Sequence, residues 1–258
     1  MKLIINADDF GLTKQVNRAI VQAMQNGVVT STTLMTNQPA TEHAIKLIKE
    51  HQLDNIGLHV TLTSGRPISP IKNVADLIDE NGQFLTYSEL SKLSESIPPE
   101  QVYTEAMSQY RFAVSRGVNL THIDSHHFAA FLPNLSEGFL AFANEVGLPC
   151  RRCDFFENNI AKLKVPTTDR FSARFYAERA NKEGFKQTIL ELSEVVPNGT
   201  AEIMAHPAYE DDTLKSLSSY TSQREVELMV LTSFEIRTWL AQQGVELINF
   251  QQLQREFA

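Results

Sequence analysis

Cysteine is nearly absent from this chain: its 258 residues hold only Cys150 and Cys153, spaced as CRRC. Two cysteines exclude a disulfide framework, and with no second pair a four-cysteine zinc site is excluded as well. Thioredoxin-like chemistry needs such a pair at a helix N-terminus, whereas LPCRRCDFF is predicted as a strand, so the pair reads as two reduced thiols in a reducing compartment. Long apolar runs are also missing. None approaches the roughly 18 residues of a membrane span, and the apolar stretch after Met1 and Lys2 is too short for a signal peptide. The expectation is a cytoplasmic protein with no membrane contact. Positive charge is scarce: 23 Lys and Arg against 31 Asp and Glu give a net charge of -8, which offers no footprint for nucleic acid. Neither GxGxxG nor a GxxxxGK phosphate loop occurs, so the nucleotide-binding α/β folds lack their usual support. A small, locally recognised ligand fits better.

What is present is the material of an ordinary globular core, with 42% hydrophobic and 21% charged residues. At this length a single barrel domain over residues 1–258 is expected. The β-branched run in LIINADDF reads as a strand; from Thr13 the period changes, with Val16, Ile20, Ala23 and Met24 on one face, Thr13 as cap and Gly27 as stop. Further strands are predicted at VVTSTTLM, NIGLHVTL, LTHIDS, LPCRRC, KLKVPTT, TAEIMA and VELINF. Helices are predicted at PATEHAIKLIKEH, from Pro98 and Pro99 to a stop at Gly117, over about 134–146, and at GFKQTILELSEVV and SQREVELMVLTSFEIRTWLAQQ, with a short one at the C-terminus. The polar stretch 63–97, with Gly65, Pro67, Pro70 and Gly82, interrupts this alternation as an insertion or lid. Repeated strand-helix units define an α/β protein with a parallel sheet, and seven or eight of them favour closure into a barrel over an open doubly wound sheet.

The chemistry-bearing residues fall into one register. Asp8 and Asp9 follow the first strand, His59 ends the third, Asp124 and His126 follow LTHI, and His206 follows TAEIMA. In a parallel barrel these carboxyl ends meet on one face. Two adjacent anions repel, and burying them is costly without a partner, so a cation there would justify both. Carboxylate and imidazole donors suit Zn²⁺ and other divalent metals; one carboxylate with two histidines leaves positions open to water, and a second carboxylate can serve as base. The other histidines read differently. His43 and His51 belong to a surface helix, His122 shares a strand face with Asp124 in a packing or supporting role, and alternation turns His127 away from the cation, toward a supporting or a scaffold role.

NADDFG, VTSTTLM, IGLHVTLT, THIDSHH, AEIMAHPAYEDD and SYTSQREVELMVL, in that order, together resemble the YdjC-like carbohydrate deacetylases, a family that includes chitooligosaccharide deacetylases. The resemblance implies a distorted TIM-barrel-like β/α fold and hydrolysis, dependent on one divalent cation, magnesium or zinc, of the N-acetyl group of an amino sugar or short chitooligosaccharide, phosphorylated or not. By motif position, Asp9, His59 and His126 would be metal ligands, Asp8 the general base and His206 the general acid. The family often continues DSHHHVH; here DSHHFAAF puts Phe128 and Ala130 in place of histidines, at positions expected to flank the site and affect substrate choice. Hydrolysis of another bond, or sugar binding without turnover, are the competing readings. The expected partner is a small N-acetylated sugar, not nucleic acid or membrane, and a homodimer is allowed.

Overall fold

The computed structural model of the protein describes residues 1–152 and 162–257. Its centre is β1 (Lys2–Phe10), buried from Leu3 onward. Around it β2 (Ser31–Leu34), β3 (Ile56–Val60), β4 (Leu120–Ser125), β5 (Arg170–Ser172) and β6 (Thr200–Ala205) run parallel in the order β4-β3-β2-β1-β6-β5. A seventh short strand, β7 (Glu246–Leu247), pairs with the first residues of β1, whereas β2 pairs with its second half. Parallel neighbours need crossovers, and helices supply them. The principal ones are α1 (Lys14–Asn26), α2 (Thr41–His51), α3 (Tyr87–Leu93), α4 (Pro99–Ser115), α5 (Leu135–Val146) and α6 (Lys182–Val195). After β6 follow α7 (Asp212–Leu217), α8 (Ser222–Leu231), α9 (Phe234–Gln242) and α10 (Phe250–Phe257). The sheet curls into a half-barrel surrounded by these helices, a parallel α/β fold as the alternation predicts and the distorted barrel that the family resemblance implies. Among the described residues, no helix is long and apolar enough to cross a membrane.

Local signals hold where they are chemical. The Thr13 side chain accepts from Val16 N at 3.1 Å at the start of α1, and Gly27 follows its last turn. Gly57 lies in β3 because a Cβ there would stand 2.6 Å from the His122 ring. His122 itself is fully buried, stacked on Phe250 with Nε2 3.0 Å from Asn6 Oδ1, a packing position that also touches the residue whose amide donates to Asp8.

Other expectations are corrected. The described residues 148–152 of LPCRRC form no strand: Cys150 makes a single bridge to Ile123, and its N–H bonds Pro166 O at 2.9 Å. KLKVPTT forms none either, and β5 begins later, at Arg170. Pro149 and Pro166 lack the N–H that a ladder needs, which explains both failures. The long helix predicted over 222–243 is two, α8 and α9, broken at Thr232 and Ser233, where the Thr232 hydroxyl donates back to Leu228 O at 2.7 Å. VELINF yields only two strand residues, since Asn249 Oδ1 accepts from Gln252 N at 3.0 Å and opens α10. Cys150 is buried; Cys153 lies outside the described residues. Within 63–97, α3 is flanked by short 3-10 turns, and the segment is fastened to α4 by the buried Glu105 carboxylate, which accepts from Ile68 N and Ser69 N at 2.9 Å each.

Candidate metal and catalytic site

The pairing of β1 with β2 slips between Ala7 and Phe10, and Asp9 adopts φ 71. Strict alternation therefore fails here, and Asp8 and Asp9 both line one cavity of about 670 Å³. Gly11 completes the distortion: at φ +109, with a Cβ that would stand 2.6 Å from Met35 O, the turn into α1 admits only glycine. The ADDFG stretch is thus a bulge that presents two carboxylates.

Asp9 Oδ1 lies 3.0 Å from His126 Nδ1 and 3.4 Å from His59 Nε2, and these two nitrogens are 3.3 Å apart. All three residues are buried. Such separations are those of neighbouring donors around one cation at roughly 2.1 Å. Asp9 Oδ1 has no hydrogen-bond partner, although it is buried among these nitrogens. Three convergent donors with an orphaned oxygen fit a divalent metal. His59 Nδ1 stands 2.6 Å from Asp124 Oδ1, which fixes that nitrogen as the one carrying a proton and leaves Nε2 to face Asp9. Burial alone would lower the His59 pKa, but Asp124, Asp9 and Asp8 outweigh it and raise it to about 10. Asp124→Asn should weaken metal binding by about 10- to 100-fold, the usual cost of losing such a supporting carboxylate. Competition with a chelator measures it, and wild-type affinity would refute the role.

The two aspartates have different partners. Asp8 accepts both guanidinium arms of Arg151 at 2.7 Å and the Asn6 amide at 2.8 Å. Burial raises its pKa, but Arg151 outweighs this and holds Asp8 below the ordinary carboxylate range. Asp9 Oδ2 is taken by Arg224 at 2.8 Å, leaving Oδ1 for the cluster. His206 stands just past β6, with Nε2 4.0 Å from Asp8 Oδ2, and its backbone N–H donates to the Glu227 carboxylate. Burial, assisted by Arg224, pushes the His206 imidazole down to about 4.

The sequence-predicted residues Asp8, Asp9, His59, His126 and His206 thus all line this cavity. Other expectations need revision. His127 is not turned away: at φ 55 it stacks on His126 with centroids 3.8 Å apart and also lines the cavity. His43 is half-buried, with Nδ1 3.1 Å from Asn17 Nδ2, while His51 is exposed. Phe128 lines the cavity as expected, but Ala130 is fully buried behind it, its N–H bonding the hydroxyl of the lining residue Ser125 at 3.0 Å. Sequence reasoning missed Arg151, Arg224, Glu202 and Glu227. A glutamate inside the apolar strand TAEIMA was the available signal, because it requires a buried cation.

A parallel half-barrel with an aspartate and two histidines gathered at its strand ends defines a class of β/α proteins with a site able to hold a metal. Within it, this chain belongs to the YdjC-like protein family, whose profile matches residues 2–242. It is 38% identical over 255 residues to a carbohydrate deacetylase of Brevibacillus brevis, covering 98% of this chain and 100% of that one. It is 40% identical over 250 residues to one of Geobacillus stearothermophilus, covering 96% of each. A crystal structure from Enterococcus faecalis V583, described as a candidate cellobiose-phosphate cleavage protein, superposes with a TM-score of 0.90 at 34% identity over 98% of both chains.

Proposed function

We propose that this carbohydrate deacetylase hydrolyses the N-acetyl group of an amino sugar or short chitooligosaccharide, with Asp9, His59 and His126 holding one divalent cation, Asp8 as base and His206 as acid. The observation that carries the reading is the convergence of three metal-type donors with a separately held carboxylate and a second imidazole around one cavity. When bound, the cation would lower the pKa of a water and polarise the acetyl carbonyl. The remaining work belongs to side chains. Asp8 Oδ2 accepts a proton from the attacking water as its oxygen bonds to the carbonyl carbon. From Asp8 the proton passes to His206, whose Nε2 stands 4.0 Å from Asp8 Oδ2. His206 Nε2 then delivers the proton to the amide nitrogen as the C–N bond breaks, giving acetate and a free amine.

The test is acetate release, with a new amine in equal amount, from N-acetylglucosamine and its β-linked oligomers by metal-loaded protein. Acetate without amine, or no acetate from any of them, refutes it. His206→Ala should keep its metal and lose activity on the amide by about 100-fold or more, while an activated acetyl ester, whose leaving group needs little protonation, is affected far less. Equal losses on both substrates would mean that His206 only positions the sugar.

A further inference from the structure

We infer that His127 is a substrate-reading residue, its Nε2 hydrogen-bonding a hydroxyl of the sugar ring that carries the acetamido group. This rests on the reading of the cavity as the sugar site. Four imidazoles line that cavity, and those of His59, His126 and His206 have roles in the proposed reaction. His127 is the fourth, and unlike the buried residue before it, it is exposed. Its backbone is unusual. His127 adopts φ 55, ψ 15 and Phe128 φ 54, ψ 19, two consecutive left-handed residues directly after His126. A residue with a Cβ takes that conformation at a cost and glycine takes it freely, yet both positions carry large side chains. Such strain persists where the contacts of the side chains outweigh it, and it gathers at functional sites. Here the His127 ring stacks on that of His126, with centroids 3.8 Å apart and planes at 30°, and the Phe128 ring meets Phe171 edge-on at 5.8 Å. The left-handed step brings both neighbouring rings to one cavity, where strand alternation would have separated them.

Two contacts from segment 63–97 set the rotation of the ring. Thr63 Oγ1 lies 3.1 Å from His127 Nδ1, and Tyr87 packs edge-on, with centroids 6.3 Å apart and planes at 85°. Both residues line the cavity. With Nδ1 engaged by Thr63, Nε2 has no hydrogen-bond partner among the described residues. A ring already fixed on three sides loses little freedom when its last edge binds a ligand. A sugar hydroxyl, donor and acceptor in one, suits either tautomer of that imidazole. Because the ring lies against His126, a sugar whose acetyl group reached the metal ligands would bring its own hydroxyls to His127.

The experiment uses the full chain loaded with Zn²⁺ in an Asp8→Asn background, so that the β-linked N-acetylglucosamine disaccharide is bound and not turned over. Affinity is read from the concentration dependence of Tm. Asparagine tolerates the left-handed backbone and can keep a polar atom at Thr63 while removing Nε2. His127→Asn should therefore weaken binding about tenfold, with zinc content and sugar-free Tm unchanged. His127→Gln, whose amide reaches farther, should bind the sugar more tightly than His127→Asn. Undiminished binding in His127→Asn, loss of its zinc, a fall in its sugar-free Tm, a glutamine variant that binds no better, or no binding to the parent protein overturns the inference. Acetate release by the chain with Asp8 restored separates the two readings, because binding that depends on His127 without acetate would refute deacetylation alone.

Discussion

Asp8→Asn is expected to lower turnover by roughly 10²- to 10⁴-fold while leaving the metal bound, whereas its neighbour's variant Asp9→Asn should lose the metal. The basis is not alternation along a strand, since the bulge at Asp9 brings both carboxylates to the same cavity. It is the identity of their partners. Asp9 offers an unpartnered oxygen to two imidazole nitrogens, while both Asp8 oxygens are occupied by Arg151. Asparagine preserves the shape of Asp8, and Arg151 keeps Asp124 at 2.9 Å and Glu202 at 2.7 Å, so the fold should survive the loss of one charge. Because Arg151 holds Asp8 below the ordinary carboxylate range, the base stays ionised at every neutral pH, and wild-type activity should not fall as pH drops from 7 to 5 on its account. Metal content after dialysis, measured beside acetate release, decides the matter. Equal metal loss in the two variants would contradict the division of labour.

The candidate ligands were legible because each ends a strand whose apolar pattern is strong, and parallel topology then forces those ends together. His59 and His126 needed no knowledge of their partners to be found. Arg151 and Arg224 did. Their carboxylates lie 143 and 215 positions away, and no local pattern encodes pairs so distant. In CRRC it is Arg151, not a cysteine, that is fully buried and binds three carboxylates. The same limit explains Glu105: on an amphipathic helix it reads as a solvated position, and only the fold of 63–97 onto α4 turns it into a buried acceptor of two backbone N–H groups. Apolar periodicity predicts which face is inside; it is silent on polar groups that are inside because something remote satisfies them. Strand lengths differ from expectation for a related reason, since proline and side-chain caps end ladders that β-propensity alone would extend.

Arg151→Met should be the most destabilising single change near the site. The arginine is fully buried and binds three carboxylates at once: Asp8 with two arms at 2.7 Å, Asp124 at 2.9 Å and Glu202 at 2.7 Å. Methionine fills similar volume but leaves these anions buried together without their cation, and breaking a buried ion pair from one side costs about 3–5 kcal/mol. Even with Arg151 present, burial keeps Glu202 as high as about 7. The pH dependence gives the sharper test. In the wild type Asp8 titrates below its unfolded value, so its contribution to stability is present above that unfolded pKa and is lost as pH falls toward the folded one. In the wild type Glu202 already titrates above its unfolded value, so its contribution is lost as pH rises through about 7; in Arg151→Met, Asp8 should join it above its unfolded value, so stability should recover more steeply than in the wild type as pH falls from 7 toward 5. Urea unfolding at several pH values reads both quantities, and Arg151→Lys, which restores a charge without the planar fork, should fall between the two proteins. A methionine variant within about 1 kcal/mol of wild type and with the same pH slope would mean that these carboxylates are held by something other than Arg151.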